Sequence, residues 1–314
     1  MKKKALKILW RYDMGSLFQE LKKKGLAGPH PGFLPTSIHY EVIMGSVAYG
    51  TSDDTSDMDV YGFCIPPRDY VFPHLRGEIF GFSKPGARFD QFQKHHILDE
   101  SAMGGKGRVY DVTIFSIVKF FKLCMDNNPN MIDSLFVPRR CILHSTKVGE
   151  LVRENRYLFL HKGAWHKFKG YAFSQIHKMR TKNPVGKRKK IIEKFGYDIK
   201  FACHVVRLLN EVEQILTEHD LDLERNREQL KAIRRGEWTQ RQVEEYFAEK
   251  EMELENLYTK SSLPYKPDEK RIQDLLLECL EYHYGNIDDC VVNQDQALRA
   301  LRDIDQILQK VRGL

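Results

Sequence analysis

Up to about residue 145 the apolar residues come in short runs rich in Val, Ile, Phe and Tyr, cut by clusters of Gly, Pro, Ser and Asp. Beyond it they recur at helical spacing. The first pattern predicts strands at HYEVIM (39–44), DMDVYGFCI (57–65), GEIFGF (77–82), FDQFQKHHIL (89–98) and RVYDVTIF (108–115). A helix is expected ahead of them, over about 7–24, and another over 115–125, stopped by proline at DNNPN. The second pattern predicts helices at STKVGELVRENRYLFL, with a serine cap, at GYDIKFACHVVRLLNEVEQIL, at TQRQVEEYFAEKEMELENLY and at DEKRIQDLLLECLEYHYG, which ends on glycine. The expected architecture is a small α/β (α+β) domain over 1–145, then an all-helical domain over 146–314.

A chain of 314 residues with 42% hydrophobic content can fill two such cores. No apolar run approaches the ~20 residues a membrane span needs. The opening MKKKALKILWRYDMG is basic but lacks a long apolar core and a small-residue cleavage site, so no signal peptide is expected. Cysteines 64, 124, 141, 203, 279 and 290 form no CxxC pair, which suits buried thiols in a reducing compartment. Cytoplasmic residence follows as the expectation. Net charge is +7, and KMRTKNPVGKRKK (178–190) holds seven basic residues and no acid. That run, ending in Lys187, Arg188, Lys189 and Lys190, suits a polyanionic partner; a solvated surface loop is the alternative.

The chemistry concentrates in GSVAYGTSDDTSDMDVYGF (45–63). A phosphate loop would need lysine where Thr51 stands, and neither Asp53 nor Asp57 starts an acceptable EF-hand. A strand, a Gly-Ser turn and a second strand opening Asp-x-Asp remain. Gly45 lets backbone approach a phosphate, and Ser46 can donate to it. Asp57 and Asp59 project to one side of an extended chain and repel each other unless a cation lies between them. Magnesium, an oxygen-seeking ion that leaves places for substrate phosphates, fits that need.

These residues resemble the signature of polymerase-β-type nucleotidyltransferases. The fuller form, GSxAYGTxxxxSDxDxxG, resembles that of the RNA-ligase-associated predicted nucleotidyltransferases. NNPNMIDSLFVP (127–138), GYAFSQIHKM (170–179) and KFACHVVRLL (200–209) extend the likeness over about 40–210. The resemblance implies a mixed-sheet catalytic domain and NMP transfer from an NTP to an acceptor hydroxyl. It implies two Mg2+ ions, replaceable by Mn2+, on Asp57 and Asp59, with a third acid at the end of a strand before a helix. It implies a triphosphate held near Gly45, Ser46 and Tyr49, RNA as acceptor and a functional link to an RNA ligase.

Asp111, within RVYDVTIF, is the candidate third carboxylate; Asp90 and Asp99 compete, and a salt-bridged structural aspartate is the alternative. Lys200, His204 and Arg207 share one face of an apolar helix, either facing a nucleotide cleft or pairing with glutamates of a neighbouring helix. Tyr171, Gln175 and Lys178 recur at helical spacing and could grip an RNA end, or else form a packing face. His95 and His96, adjacent on a strand, are expected to point oppositely. Two rivals remain: AMP-adding or antibiotic-modifying transfer to a protein or small molecule, and an idle nucleic-acid-binding module.

Overall fold

The computed structural model describes residues 15–52, 57–78, 88–181 and 185–285, with single positions between 300 and 308. Among these, five strands form one mixed sheet in the order β3-β4-β2-β1-β5. They are β1 (Ile38–Ile43), β2 (Met58–Cys64), β3 (Gln91–Asp99), β4 (Arg108–Ser116) and β5 (Ile142–Ser145). β2 and β4 are parallel, and the other pairs are antiparallel. β1 and β2 lie inside the sheet, which is why IHYEVI and MDVYGFC bury most of their positions. GEIFGF falls mostly outside the described residues, as do positions 7–14 of the expected first helix. Within the described residues the helix begins later than expected, as α1 (Leu17–Lys23), capped by the Ser16 side chain.

Four-residue β5 is too short to announce itself by alternation, and it pairs on the outer edge of β1. Its presence moves a cap. Ser145 ends the strand, so Thr146 rather than the expected serine caps α4 (Lys147–Glu154) by accepting from the Gly149 amide. Before it, α2 (Ile117–Met125) buries Ile117, Phe120, Phe121 and Cys124, one helical stripe. α3 (Pro129–Phe136) starts at proline with Asn128 as cap.

The remaining helices are α5 (Ala164–Thr181), α6 (Lys187–Phe195), α7 (Ile199–Glu218), α8 (Arg227–Arg234), α9 (Gln240–Lys260) and α10 (Glu269–Tyr284). α7 is the axis of this part, buried along most of its length and packed on α5, α8 and α9. α10 turns back to the sheet part, against α2 and α4. There His283 meets His39 of β1 at 2.9 Å. No described helix is long and apolar enough to cross a membrane.

Candidate active site

The turn after β1 is built around Gly45. Its φ is +67°, and a Cβ there would run into the Asp59 carboxylate. Only glycine meets both demands. Amides close the turn on carbonyls, Tyr49 onto Gly45 at 3.2 Å and Thr51 onto Ser46 at 2.8 Å. The Ser46 hydroxyl, half-buried, makes no hydrogen bond among the described residues.

Asp59 is the second residue of β2, and the parallel register sets it beside Asp111 of β4. Neighbouring strands lie ~4.8 Å apart, so the two side chains share one patch of sheet. Asp57 is exposed just before the strand. The Asp59 carbonyl accepts the Met44 amide at 2.7 Å, but its carboxylate has no hydrogen-bond partner among the described residues. Burial first, then the charges of Asp111 and Asp57, push its carboxyl above the usual range, with His95 and Lys200 pulling the other way. Asp111 stands near the start of β4, not at the strand end before a helix that the resemblance implies. Its rivals are elsewhere. Asp99 is buried on Lys24 at 2.6 Å, and Asp90 lies beside Ser116 at the far end of β4.

The two histidines do not point oppositely. The register of β3 on β4 breaks between Lys94 and Ile97, and His96 takes φ +55°. This bulge turns both residues toward Asp111. The His96 amide donates to Oδ1 at 2.6 Å, and His95 Nδ1 stands 3.4 Å from Oδ2.

Clustered hard oxygens, one of them on a half-buried carboxylate without a partner, fit magnesium. Among the described residues no three His, Cys, Asp or Glu side chains converge into a ready-made cage. Substrate phosphates and water would complete the shell, as is usual for this ion.

Lys200, exposed on α7, is near enough to act on the Asp59 carboxyl, and His204, one turn further on, is exposed too. Desolvation by the surrounding protein, then Arg207, Arg188, Arg234 and Lys200, push the His204 pKa down to about 3. Arg207 does not join this exposed stripe. It is buried, and its guanidinium bonds Asp133 and reaches Glu211 at 3.0 Å. Tyr49 is buried with it, donating to Asp133 at 2.7 Å. Both residues therefore carry internal contacts in place of the expected ligand contacts: the charge of Arg207 is spent on two acids. Burial pushes the carboxyls of Asp133 and Glu211 upward against its pull.

On α5, Tyr171, Gln175 and Lys178 do share a face, lining a surface hollow of about 550 Å³ with His166, Lys167 and Ser174. Tyr171 is 39% exposed and accepts from Asn128 Nδ2 at 3.1 Å. Tyr61 feels both Tyr171 and the carboxylates: its hydroxyl pKa is raised by burial and then by Asp59, Asp111 and Tyr171. The sequence reading passed over Tyr61, although its place two residues after Asp59 puts it on the same face. The basic run is helical from Lys187, in α6, not a loop. Arg188 pairs with Asp198 at 2.8 Å and lies over Phe201, while Lys189 and Lys190 are exposed. Residues 182–184 and the Lys187 side chain lie outside the described part.

A family model described as "RNA repair pathway DNA polymerase beta family" matches residues 29–278. Comparison with curated proteins finds no match.

Proposed function

The chain belongs to the RNA repair pathway DNA polymerase beta family, and from that premise we propose that it is a magnesium-dependent nucleotidyltransferase acting on RNA ends. The observation that carries this reading is the register pairing of Asp59 with Asp111 beside the Gly45 turn. An acceptor oxygen bonds to the α-phosphorus of an NTP, the α–β bridging P–O bond breaks, and pyrophosphate leaves with that electron pair. Bound magnesium, held by Asp57, Asp59 and Asp111, would neutralise the triphosphate and acidify the acceptor hydroxyl. Ser46 and the turn amides hold phosphate oxygens. Lys200 supplies positive charge from the opposite wall, and His204, neutral at physiological pH, can still donate a hydrogen bond. Tyr171, Gln175 and Lys178 seat the acceptor, with Lys189 and Lys190 attracting its backbone. The division near residue 145 then has a use: carboxylates on one side of the cleft, cations on the other.

RNA is favoured over a protein or small molecule because an aromatic, an amide and cations line one hollow, and Tyr61 feels the charges of both the carboxylates and that hollow's Tyr171. An idle binding module is disfavoured, since it would have no need to keep mutually repelling acids together. A cytoplasmic setting and an RNA ligase acting on the same substrates belong to this proposal. The test is incubation with each α-32P-labelled NTP, Mg2+ and total cellular RNA. Label should enter RNA and pyrophosphate should be released, both requiring Mg2+. Label found only in protein or small molecules would replace the acceptor, and no transfer with any NTP would reject the reading.

A further inference from the structure

The bulge in β3 is the least expected feature beside the carboxylates. Phe92 is buried before it and Ile97 after it, so the inward parity changes across the interval and one residue must be surplus. His96 is the residue that takes the left-handed conformation, φ +55°, one that histidine tolerates better than most non-glycine residues. Its ring is 84% exposed with Nδ1 3.9 Å from Asp111 Oδ1, and its amide donates to that same oxygen at 2.6 Å.

The other oxygen of Asp111 faces a directed row of side chains. Gln91, Gln93 and His95 alternate onto one face of β3. Gln91 Nε2 donates to Gln93 Oε1 at 3.4 Å, and Gln93 Nε2 meets His95 Nε2 at 2.8 Å. With the amide donating to Nε2, that nitrogen is the acceptor, and the ring proton sits on Nδ1. Nδ1 is the atom 3.4 Å from Asp111 Oδ2. Each donor in the row thus points toward Asp111. A contact of this length in a free enzyme tightens when the substrate is in place.

Resting on the nucleotidyltransferase reading, we propose that the His95–His96 bulge positions Asp111, the His96 amide fixing Oδ1 and the His95 Nδ1–H, oriented by Gln93, aiming Oδ2. Two donors on one carboxylate hold its rotamer while leaving lone pairs for a cation, the arrangement by which outer groups orient ligating carboxylates. His95 is a positioning residue, acting through Asp111, and the same interaction ties β3 to the chemistry at the one place where its ladder is broken.

The experiment compares His95→Ala, His95→Asn, His95→Gln and Asp111→Asn for turnover, for NTP KM and for Mn2+ affinity, the last read from the free-ion EPR signal without nucleotide. His95→Ala should lower both kcat and Mn2+ affinity about tenfold to a hundredfold, as loss of an outer-shell partner does. Its NTP KM and melting temperature should stay unchanged. Asparagine places a donor where Nδ1 stood and should restore both quantities, whereas glutamine places it too far out and should not. Wild-type kcat and Mn2+ affinity in His95→Ala, or an Asn variant as poor as the Ala variant, overturns the proposal. Asp111→Asn separates two failures. If it is inactive while His95→Ala is normal, only the positioning role falls; if it is fully active, the carboxylate site itself falls.

Discussion

Arg207 and Tyr49 lie 158 residues apart, yet the arginine donates to the tyrosine hydroxyl at 2.6 Å and sits 4.3 Å from its ring centroid. Tyr49 ends the Gly-Ser turn and Arg207 lies mid-helix in α7. Through Asp133 the pair also grips α3. The Gly-Ser turn is thus fastened to α7.

Arg207→Ala would strand Asp133 and Glu211 without their cation, and one oxygen of Asp133 is already buried without a partner. Breaking such a buried set costs about 3–5 kcal/mol. In a chain of this size that lowers Tm by roughly 10 °C. A melting curve with and without Mg-NTP reads it. Stabilisation by ligand should persist in the variant; an unchanged apo Tm with ligand stabilisation abolished would return Arg207 to the cleft.

Glu41 gives a pH dependence. It is fully buried on β1, accepts the Phe18 amide at 3.1 Å, and leaves Oε2 unpartnered. Burial pushes its carboxyl from 4.5 up to about 7, against hydrogen bonds from Ser16, Phe18 and Leu17. The folded state holds this proton after the unfolded state has lost it. Stability from this group is therefore highest below about pH 4.5, falls as pH rises to about 7, and is level beyond. Glu41→Gln should add on the order of 3 kcal/mol at pH 8 and almost nothing at pH 4. Urea denaturation at the two pH values checks it, and equal effects at both would contradict it.

The signature residues and the strands that hold them were legible because their demands are local. Gly45 needs a positive φ, Asp57 and Asp59 alternate, and β2 and β4 are apolar runs. Arg207 was not, because a lone cation on an apolar helix looks the same whether its acids are on a ligand or on α3. The bulge at His96 left a trace, the change of parity between Phe92 and Ile97, but period-two reasoning assumes an unbroken strand. β5 was invisible for its length, and Tyr61 because an aromatic in a strand is ordinarily core.

The basic run divides into one charge held by the fold and exposed ones, of which Lys189 stands 4.0 Å from Glu193. Arg188 meets Asp198, whose other oxygen caps α7 by accepting the Lys200 amide at 3.0 Å, so neutralising it should cost stability. Lys189→Gln with Lys190→Gln should leave Tm unchanged, weaken binding of a single-stranded RNA oligonucleotide, and reduce the salt slope by about one per lost phosphate contact. NTP affinity should be unaffected. An unaltered salt slope would make these lysines solvated surface only.

The last prediction concerns Asp57 and Asp59. The folded chain holds Asp59, half-buried and without a partner, against the charges of Asp57 and Asp111. Asp59→Asn removes one of these charges and leaves the shape, so the metal-free protein should melt at the same temperature or slightly higher. Asp57 is exposed and tolerates the same change. Each variant should nonetheless lose transfer activity by about a hundredfold or more, since preorganised charge at the reacting phosphate is the largest contribution such a site makes. Mg2+ with NTP should raise the Tm of wild type and not that of either variant. Stability kept and function lost, in the same two proteins, is the pattern of residues held for a cation. Near-normal turnover in both would remove them from the site, and loss of stability in the absence of metal would mean that the acids serve the fold instead.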